Sequence, residues 1–146
     1  MKDDSSPLVR RHSGDYRWQE VDVLAYKKEG VAPFKDVTRQ VLFEGEDLPA
    51  ELRYFEVAPG GYTTLERHEH VHAVMVIRGK GQCLVGDKAW DINLHDLVRV
   101  PPMTWHQFHA APDASLGFLC MVASARDRPQ LPAEGEVETI SRPLKR

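Results

Sequence analysis

The fold of this chain is decided by residues 60–79, which read Gly60-Gly61-Tyr62-Thr63-Thr64-Leu65-Glu66-Arg67-His68-Glu69-His70-Val71-His72-Ala73-Val74-Met75-Val76-Ile77-Arg78-Gly79. Three of the chain's seven histidines alternate within five of these residues. Side chains at positions i and i+2 point to the same face of a β-strand. Imidazoles and carboxylates that converge on one spot repel each other or leave unpaired dipoles unless an ion lies among them. The stretch therefore predicts a site for Zn, Fe, Mn, Ni or Cu, which these groups suit.

Strand geometry limits which of these groups can share an ion. A strand rises about 3.3 Å per residue, so Glu66 and His72 would lie about 20 Å apart on a straight strand. An imidazole brings an ion within roughly 6–7 Å of its own Cα. His68 and His72, about 13 Å apart when extended, are at the limit of reach. Either two neighbours bind the ion, or the chain turns at Glu69-His70-Val71.

Short segments rich in Val, Leu, Ile and Phe continue on both sides of this stretch. We predict strands at Trp18–Tyr26, Val37–Phe43, Leu52–Val57, Ala73–Ile77, Gln82–Val85, Trp90–Leu94, Leu97–Val100, His106–His109 and Leu116–Val122. Turn-forming pieces separate them at residues 58–61, 79–81, 86–88 and 111–113. Several short strands at this pitch predict an all-β sandwich or barrel.

The ends of the chain differ from its middle. Residues 1–16 are polar and charged, and we interpret them as a tail or an arm. Residues 125–146 carry three prolines and many charges, which predicts an extended strap. The barrel itself is expected over residues 17–124.

Composition excludes several function classes. The length of 146 residues fits one domain, and a net charge of -3 gives no electrostatic case for nucleic acid or an anionic membrane. No apolar run approaches the roughly 20 residues of a spanning helix, and the N-terminus lacks the apolar stretch of a secretory signal, so we expect a cytoplasmic protein. Cys83 and Cys120 are too few for a disulfide framework and are interpreted as buried small hydrophobes.

Residues 60–106 resemble the cupin family of small jelly-roll barrels. The first motif of that family is a Gly, five residues, His-x-His, three or four residues, Glu, six residues and a Gly. Here Gly60 and Gly79 occupy the two ends without gaps. Glu66 and His68 stand in the His-x-His slots and His72 stands in the Glu slot, so the carboxylate has changed place with a histidine.

The second cupin motif matches in part. Pro101 and His106 stand where the family has a Pro and its metal-binding His. His95 and Met103 occupy positions where the family has Gly, and Ala110 replaces an Asn. These departures concern turn geometry and pocket lining rather than the ligand.

The resemblance implies an all-β fold, a double-stranded β-helix or jelly-roll barrel that binds one divalent transition metal ion. Its implied ligands are Glu66, His68, His72 and His106, and the ion would be Mn, Fe, Ni, Zn or Cu. We expect His70 in the turn, facing solvent or orienting a ligand. The alternative is that His70 replaces Glu66 as a ligand, because His68-x-His70 mimics the motif two residues out of register.

Three apolar side chains share the inward phase of the ligands. We expect Phe108, Val74 and Val76 to line the pocket beside the ion, whereas His109 is one residue out of phase with His106 and should face away.

The leading functional hypothesis is a metal-dependent enzyme that acts on a small oxygen-rich metabolite. Cupins that resemble this chain include dioxygenases, isomerases, decarboxylases and lyases, and the sequence does not choose among them. The alternative is a non-catalytic metal- or ligand-binding sensor barrel. A purely structural metal is a third interpretation, but structural zinc sites favour cysteine and neither cysteine lies in the cluster.

We expect a small-molecule ligand or substrate as partner, with no nucleic acid and no membrane. We also expect a homodimer, because a small jelly roll has edge strands to protect and two-fold dimers are the commonest closed assembly.

Overall fold

The computed structural model describes residues 7–28, 30, 32–45 and 47–145. Residues 1–6 of the predicted arm and Arg146 of the predicted strap lie outside them. The strands in the described ranges are β1 (His12–Gly14), β2 (Arg17–Trp18), β3 (Leu24–Ala25), β4 (Lys35–Phe43), β5 (Ala50–Tyr62), β6 (His72–Gly79), β7 (Gly81–Val85), β8 (Lys88–Ile92), β9 (Leu97–Val100), β10 (His106–Ala110) and β11 (Leu116–Ala123). A short helix α1 (Val137–Ser141) follows a 3₁₀ turn at Glu134–Glu136. The predicted all-β class is confirmed.

One antiparallel sheet curls into the barrel. Its strands are ordered β8-β7-β10-β5-β11-β6-β9, with β4 paired to β5 and β3 paired to β4. Strand β10 lies between β7 and β5, and β11 lies between β5 and β6, so these neighbours in the sheet are not consecutive along the chain. This interleaving is the jelly-roll connectivity that the resemblance implied. Strands β1 and β2 form a separate hairpin.

Alternate side chains of the strands fill the barrel. In β6, for example, Val74 and Val76 are buried while Ala73 and Met75 are exposed. The buried core contains Val37, Phe55, Val57, Val74, Val76, Cys83, Ile92, Phe108, Ala110, Leu116, Phe118, Cys120 and Val122. His72 begins β6 in the same phase as Val74, so the strand directs this imidazole towards the interior.

The motif glycines and their replacements share a backbone conformation. Gly79 has a φ of +65°, and a Cβ atom there would collide with the carbonyl oxygen of Ser115. His95 and Met103, which stand where the family has Gly, have φ values of 73° and 51°. The left-handed turns of the second motif are therefore kept although the glycines are not, which strains both residues.

Two predictions for the strands were wrong. The segment Trp18–Tyr26 is not one strand, because only Arg17–Trp18 and Leu24–Ala25 pair and Glu20 has a φ of 60° between them. Residues 58–61 are not a turn, because β5 continues through them to Tyr62. The register of β5 against β4 shifts there, and this irregularity accommodates Gly60 at a φ of +75°.

The C-terminal segment is partly helical rather than extended throughout. Ile140 and Leu144 pack against Leu65 and Leu84 in a second, smaller apolar cluster. This packing holds the segment beside the loop that leads into the histidines. Among the described residues, no helix is long and apolar enough to cross a membrane.

Candidate metal centre

Three histidines from separate parts of the fold converge at one end of the barrel. His68 lies just before a bend at residues 69 and 70, His72 begins β6 and His106 begins β10. One ring nitrogen from each lies within 4.8 Å of the other two. On a straight strand His68 and His72 would be at the limit of reach of a shared ion. The bend between them brings both side chains towards the same point.

Two of the rings have an assigned tautomer. The Nδ1 atom of His68 lies 2.7 Å from the carbonyl oxygen of His70, and Nδ1 of His106 lies 2.9 Å from the carbonyl oxygen of Thr104. A carbonyl oxygen only accepts, so both Nδ1 atoms carry the proton. In the neutral rings Nε2 then offers a lone pair, and Nε2 of His68 lies 2.9 Å from Nε2 of His72.

The ring of His72 is fixed from its other side by a cysteine. Its Nδ1 atom lies 2.8 Å from Sγ of Cys120. When Nδ1 donates its hydrogen to the sulfur, the Nε2 lone pairs of His72 and His68 face each other. A cation between them satisfies both, so the donor set fits a divalent ion.

Burial keeps these rings uncharged. It lowers the pKa of His72 to about 2 and the pKa of His106 to about 4, with neighbouring imidazoles adding to the effect. The pKa of His68 is also lowered, first by burial and then by His70. All three imidazoles are therefore neutral at pH 7, which is the form that binds a metal.

Glu66 lies beside the three histidines, but its carboxylate forms an ion pair with Lys27. Its backbone pairs with that of His106 in an isolated bridge. Its carboxylate Oε2 lies 2.8 Å from Nζ of Lys27, and the residue is only 7% exposed. The structure thus brings three of the four predicted ligands together and holds the fourth in an ion pair beside them. The role of Glu66 as a ligand stays a prediction.

His70 lies behind His68 rather than beside the converging nitrogens. Its ring stacks on that of His68 with centroids 3.6 Å apart, and its Nδ1 lies 2.8 Å from Oδ1 of Asp127. The same carboxylate accepts hydrogen bonds from the backbone N–H groups of Glu69 and His70. These bonds, led by that from Glu69, lower the pKa of Asp127. His70 therefore orients His68 through both its carbonyl group and its ring.

Two adjoining cavities open onto the histidines. The inner cavity, of about 40 Å³, is lined by Tyr26, Phe55, Thr63, Thr64, Glu66, His72, Val74, His106, Phe108, Phe118 and Cys120. The outer cavity, of about 400 Å³, is lined by Tyr26, Lys27, Lys28, Arg39, Arg53, Phe55, Glu66, His68, His70, His72, Arg126, Asp127 and Pro129. Val74 and Phe108 lie in the inner wall, whereas Val76 packs in the core and does not line it. His109 stacks on Tyr62 and lines neither cavity.

Sequence reasoning missed three residues of this site. Cys120 is buried as predicted, but it also contacts His72, and burial raises its pKa so that it remains a thiol. Lys27 and Arg53 belong to neither of the two cupin motifs. Strands β11 and β5 pair antiparallel in a register that places Cys120 opposite Arg53. This contact can be identified only when the register is known.

Comparison with known proteins shows the family of the chain. The family model of the cupin domain (Cupin_2) matches residues 53–122. The crystal structure of a cupin 2 conserved barrel domain protein from Rhodopseudomonas palustris is 53% identical, with a TM-score of 0.84, and the match covers 92% of this chain and 97% of that chain. The chain belongs to the cupin superfamily.

Two further matches to this cupin are from Rhodospirillum rubrum. The crystal structure of a cupin-2 domain is 53% identical with a TM-score of 0.80, covering 90% of this chain and 88% of that chain. A protein named 1-methylthio-D-xylulose 5-phosphate methylsulfurylase is 54% identical over 131 residues, which are 90% of this chain and 84% of that protein. Three histidines within reach of one another in a cupin can bind a metal ion.

Proposed function

We propose that this cupin is a metal-dependent enzyme that removes the methylthio group from 1-methylthio-D-xylulose 5-phosphate or a closely related methylthio ketose phosphate. One observation carries the proposal: three neutral imidazoles converge beside a cavity in a chain 54% identical to an enzyme of that name. Such a substrate would be a small oxygen-rich metabolite, the class that the leading hypothesis from the sequence named.

The donor set suits this chemistry. A ketose offers its C2 carbonyl and the neighbouring hydroxyl as a chelating pair of oxygens. A divalent ion held by His68, His72 and His106 would supply Lewis-acid polarisation of that carbonyl. The wall formed by Val74, Phe108 and Phe118 is apolar, and an apolar environment strengthens such electrostatic effects.

The position of the carbonyl determines how the carbon–sulfur bond breaks. The electron pair of the C1–S bond stays on C1, because the adjacent C2 carbonyl delocalises it. C1 then takes a proton, and the methylthio group passes to the sulfur of a thiol co-substrate as a disulfide. The sugar is reduced at C1 and the thiol is oxidised, so the exchange balances without a further redox partner.

The chain provides groups that can hold the proton C1 receives. The Glu66 carboxylate and the Lys27 ammonium are paired at 2.8 Å, and Glu66 lines both cavities. Tyr26 lies in the same walls, and its pKa is raised by burial and then by the charge of Glu66. Tyr26 therefore stays a phenol that can donate a hydrogen bond to a substrate oxygen.

The test follows the substrate directly. Metal-loaded protein is incubated with 1-methylthio-D-xylulose 5-phosphate and a small thiol, and proton NMR follows the conversion of the C1 methylene into a methyl group. We expect conversion by the wild type and by His109→Ala, and none by His106→Ala. No conversion by wild-type protein that holds its metal would refute the proposal.

A further inference from the structure

Arg53 of β5 carries a buried charge without a balancing carboxylate. The residue is only 8% exposed. Its guanidinium lies 4.9 Å from the ring centroid of Phe55, and one terminal nitrogen lies 3.7 Å from Sγ of Cys120. Among the described residues no carboxylate forms an ion pair with it, and its Nε atom has no hydrogen-bond partner.

Such an arrangement is costly in a folded protein. Buried charges are normally paired, because removing an ion from water costs several kcal/mol. Neither the phenyl ring of Phe55 nor the neutral thiol of Cys120 supplies a negative charge. The guanidinium presents a planar fork of donors that matches the oxygens of a phosphate group.

The surroundings of Arg53 are also positively charged. Arg53 lines the outer cavity, where cationic side chains outnumber carboxylates among the described residues by five to two. Lys27 is paired with Glu66, and Arg126 with Glu51.

That leaves Lys28 and Arg39, which also line the outer cavity, without an ion pair in the described part of the chain. The second carboxylate, Asp127, is engaged with His70. This local excess of positive charge arises in a chain of net charge -3, so it is a feature of the cavity and not of the whole surface.

We propose that Arg53, assisted by Lys28 and Arg39, binds the phosphate group of a phosphomonoester whose other end reaches the three histidines. The inference deepens the proposed function and rests on it. One side chain, Cys120, separates the guanidinium from His72, with contacts of 3.7 Å and 2.8 Å on its two sides. Arg53, His68 and His72 also line the same outer cavity, whose volume of about 400 Å³ lies within the usual range for small-molecule sites, so a short sugar phosphate can contact both Arg53 and the histidines.

Direct binding tests this assignment without requiring turnover. The probes are inorganic phosphate, D-xylulose 5-phosphate and D-xylulose, titrated calorimetrically into the full chain. We expect the wild type to bind inorganic phosphate and D-xylulose 5-phosphate, and to bind D-xylulose much more weakly. Arg53→Gln should weaken binding of D-xylulose 5-phosphate by about tenfold or more, since hydrogen bonds between charged groups are stronger than those between neutral groups. Arg53→Lys should recover part of the loss.

Arg142→Gln is the matched control, because Arg142 is exposed and does not line the cavity. Thermal unfolding separates a binding role from a structural one. Removal of an unpaired buried charge should leave the midpoint of Arg53→Gln unchanged or raise it, whereas a structural arginine would lower it. If Arg53→Gln does not fold, the double variant Lys28→Gln/Arg39→Gln provides the same binding test, with weakened phosphate binding expected.

The outcomes also distinguish this inference from the proposed function. Unchanged phosphate affinity in Arg53→Gln, or equal binding of D-xylulose and its phosphate by the wild type, would overturn the assignment of Arg53. If phosphate binds through Arg53 but the methylthio sugar is not converted, the proposed function fails and the anion site stands. If the sugar is converted with the same KM by wild type and Arg53→Gln, only the anion site fails.

Discussion

The Nδ1 atom of His72 lies 2.8 Å from the Sγ atom of Cys120, so a buried thiol orients a candidate metal ligand. Both side chains face the barrel interior from adjacent strands, β6 and β11. The contact joins the histidine cluster to Arg53, which lies on the other side of the same sulfur.

Cys120→Ala should weaken binding of Mn²⁺ or Co²⁺ by about 10- to 100-fold, the usual effect of removing a group that orients a metal-binding histidine. Cys120→Ser should recover part of the affinity, because a hydroxyl can replace the hydrogen bond. The measurement is a calorimetric titration of metal-free protein. Cys83→Ala is the matched control, because Cys83 is equally buried but lines neither cavity at the histidines. Equal losses in the two variants would contradict an orienting role for Cys120.

The metal-free protein should lose stability as the pH falls from 7 to 5. Burial depresses the pKa of His106 to about 4, whereas an unfolded histidine titrates near 6.5. As the pH falls, the unfolded chain therefore takes up the proton at a higher pH than the folded chain does. The free energy of unfolding falls between pH 7 and 5 by roughly 1–2 kcal/mol for this histidine. Urea unfolding at each pH measures the effect. His106→Gln should show a smaller loss than the wild type, because it lacks the imidazole that takes up the proton. A free energy of unfolding that is flat from pH 7 to 5 would contradict the account.

His95→Gly should stabilise the protein by up to about 1 kcal/mol. His95 is exposed and has a φ of 73°, a conformation that costs a residue with a Cβ atom about 1–2 kcal/mol, part of which the entropy of glycine offsets. Urea unfolding at pH 8 provides the measurement. Leu94→Gly, at an exposed neighbour that does not have a positive φ, should instead destabilise. A loss of stability in His95→Gly as large as that in Leu94→Gly would show that the turn is not strained.

The fold could be predicted from the sequence because its signals are local. The gapless spacing from Gly60 to Gly79 and the alternation of Val74 and Val76 identify a cupin strand and its inward face. Because these signals are local, they also led to a wrong prediction where strand pairing determines the structure. Gly60-Gly61 indicated a turn, but the irregular pairing of β5 with β4 accommodates both glycines inside a strand.

The site was only partly predictable because its supporting contacts are distant along the chain. Lys27 is 39 residues from Glu66, and Arg53 is 67 residues from Cys120. Such pairs depend on strand order and register, which hydrophobic periodicity does not determine. Lys27 therefore could not be foreseen as the partner of Glu66, the carboxylate that the cupin motif indicated as a ligand.

We predict that the protein forms a two-fold dimer. Strands β8 and β9 are the two ends of the sheet order, and they leave Trp90 and Leu97 exposed by 49% and 74%. Unprotected edges and apolar side chains favour association. Light scattering at micromolar concentration should give twice the chain mass of 16.6 kDa. A mass equal to that of a single chain would rule the dimer out.

Elemental analysis of untagged protein purified without added metal is the decisive test of a metal centre built on His68, His72 and His106. We expect about one divalent transition metal ion per chain in the wild type, since the three nitrogens converge on a single point. We expect no stoichiometric metal in His68→Ala or His106→Ala. His70→Ala should retain the metal, because the carbonyl group that orients His68 remains in that variant. Loss of the metal in His70→Ala with retention in His106→Ala would contradict the account, and so would a wild-type protein that binds no transition metal.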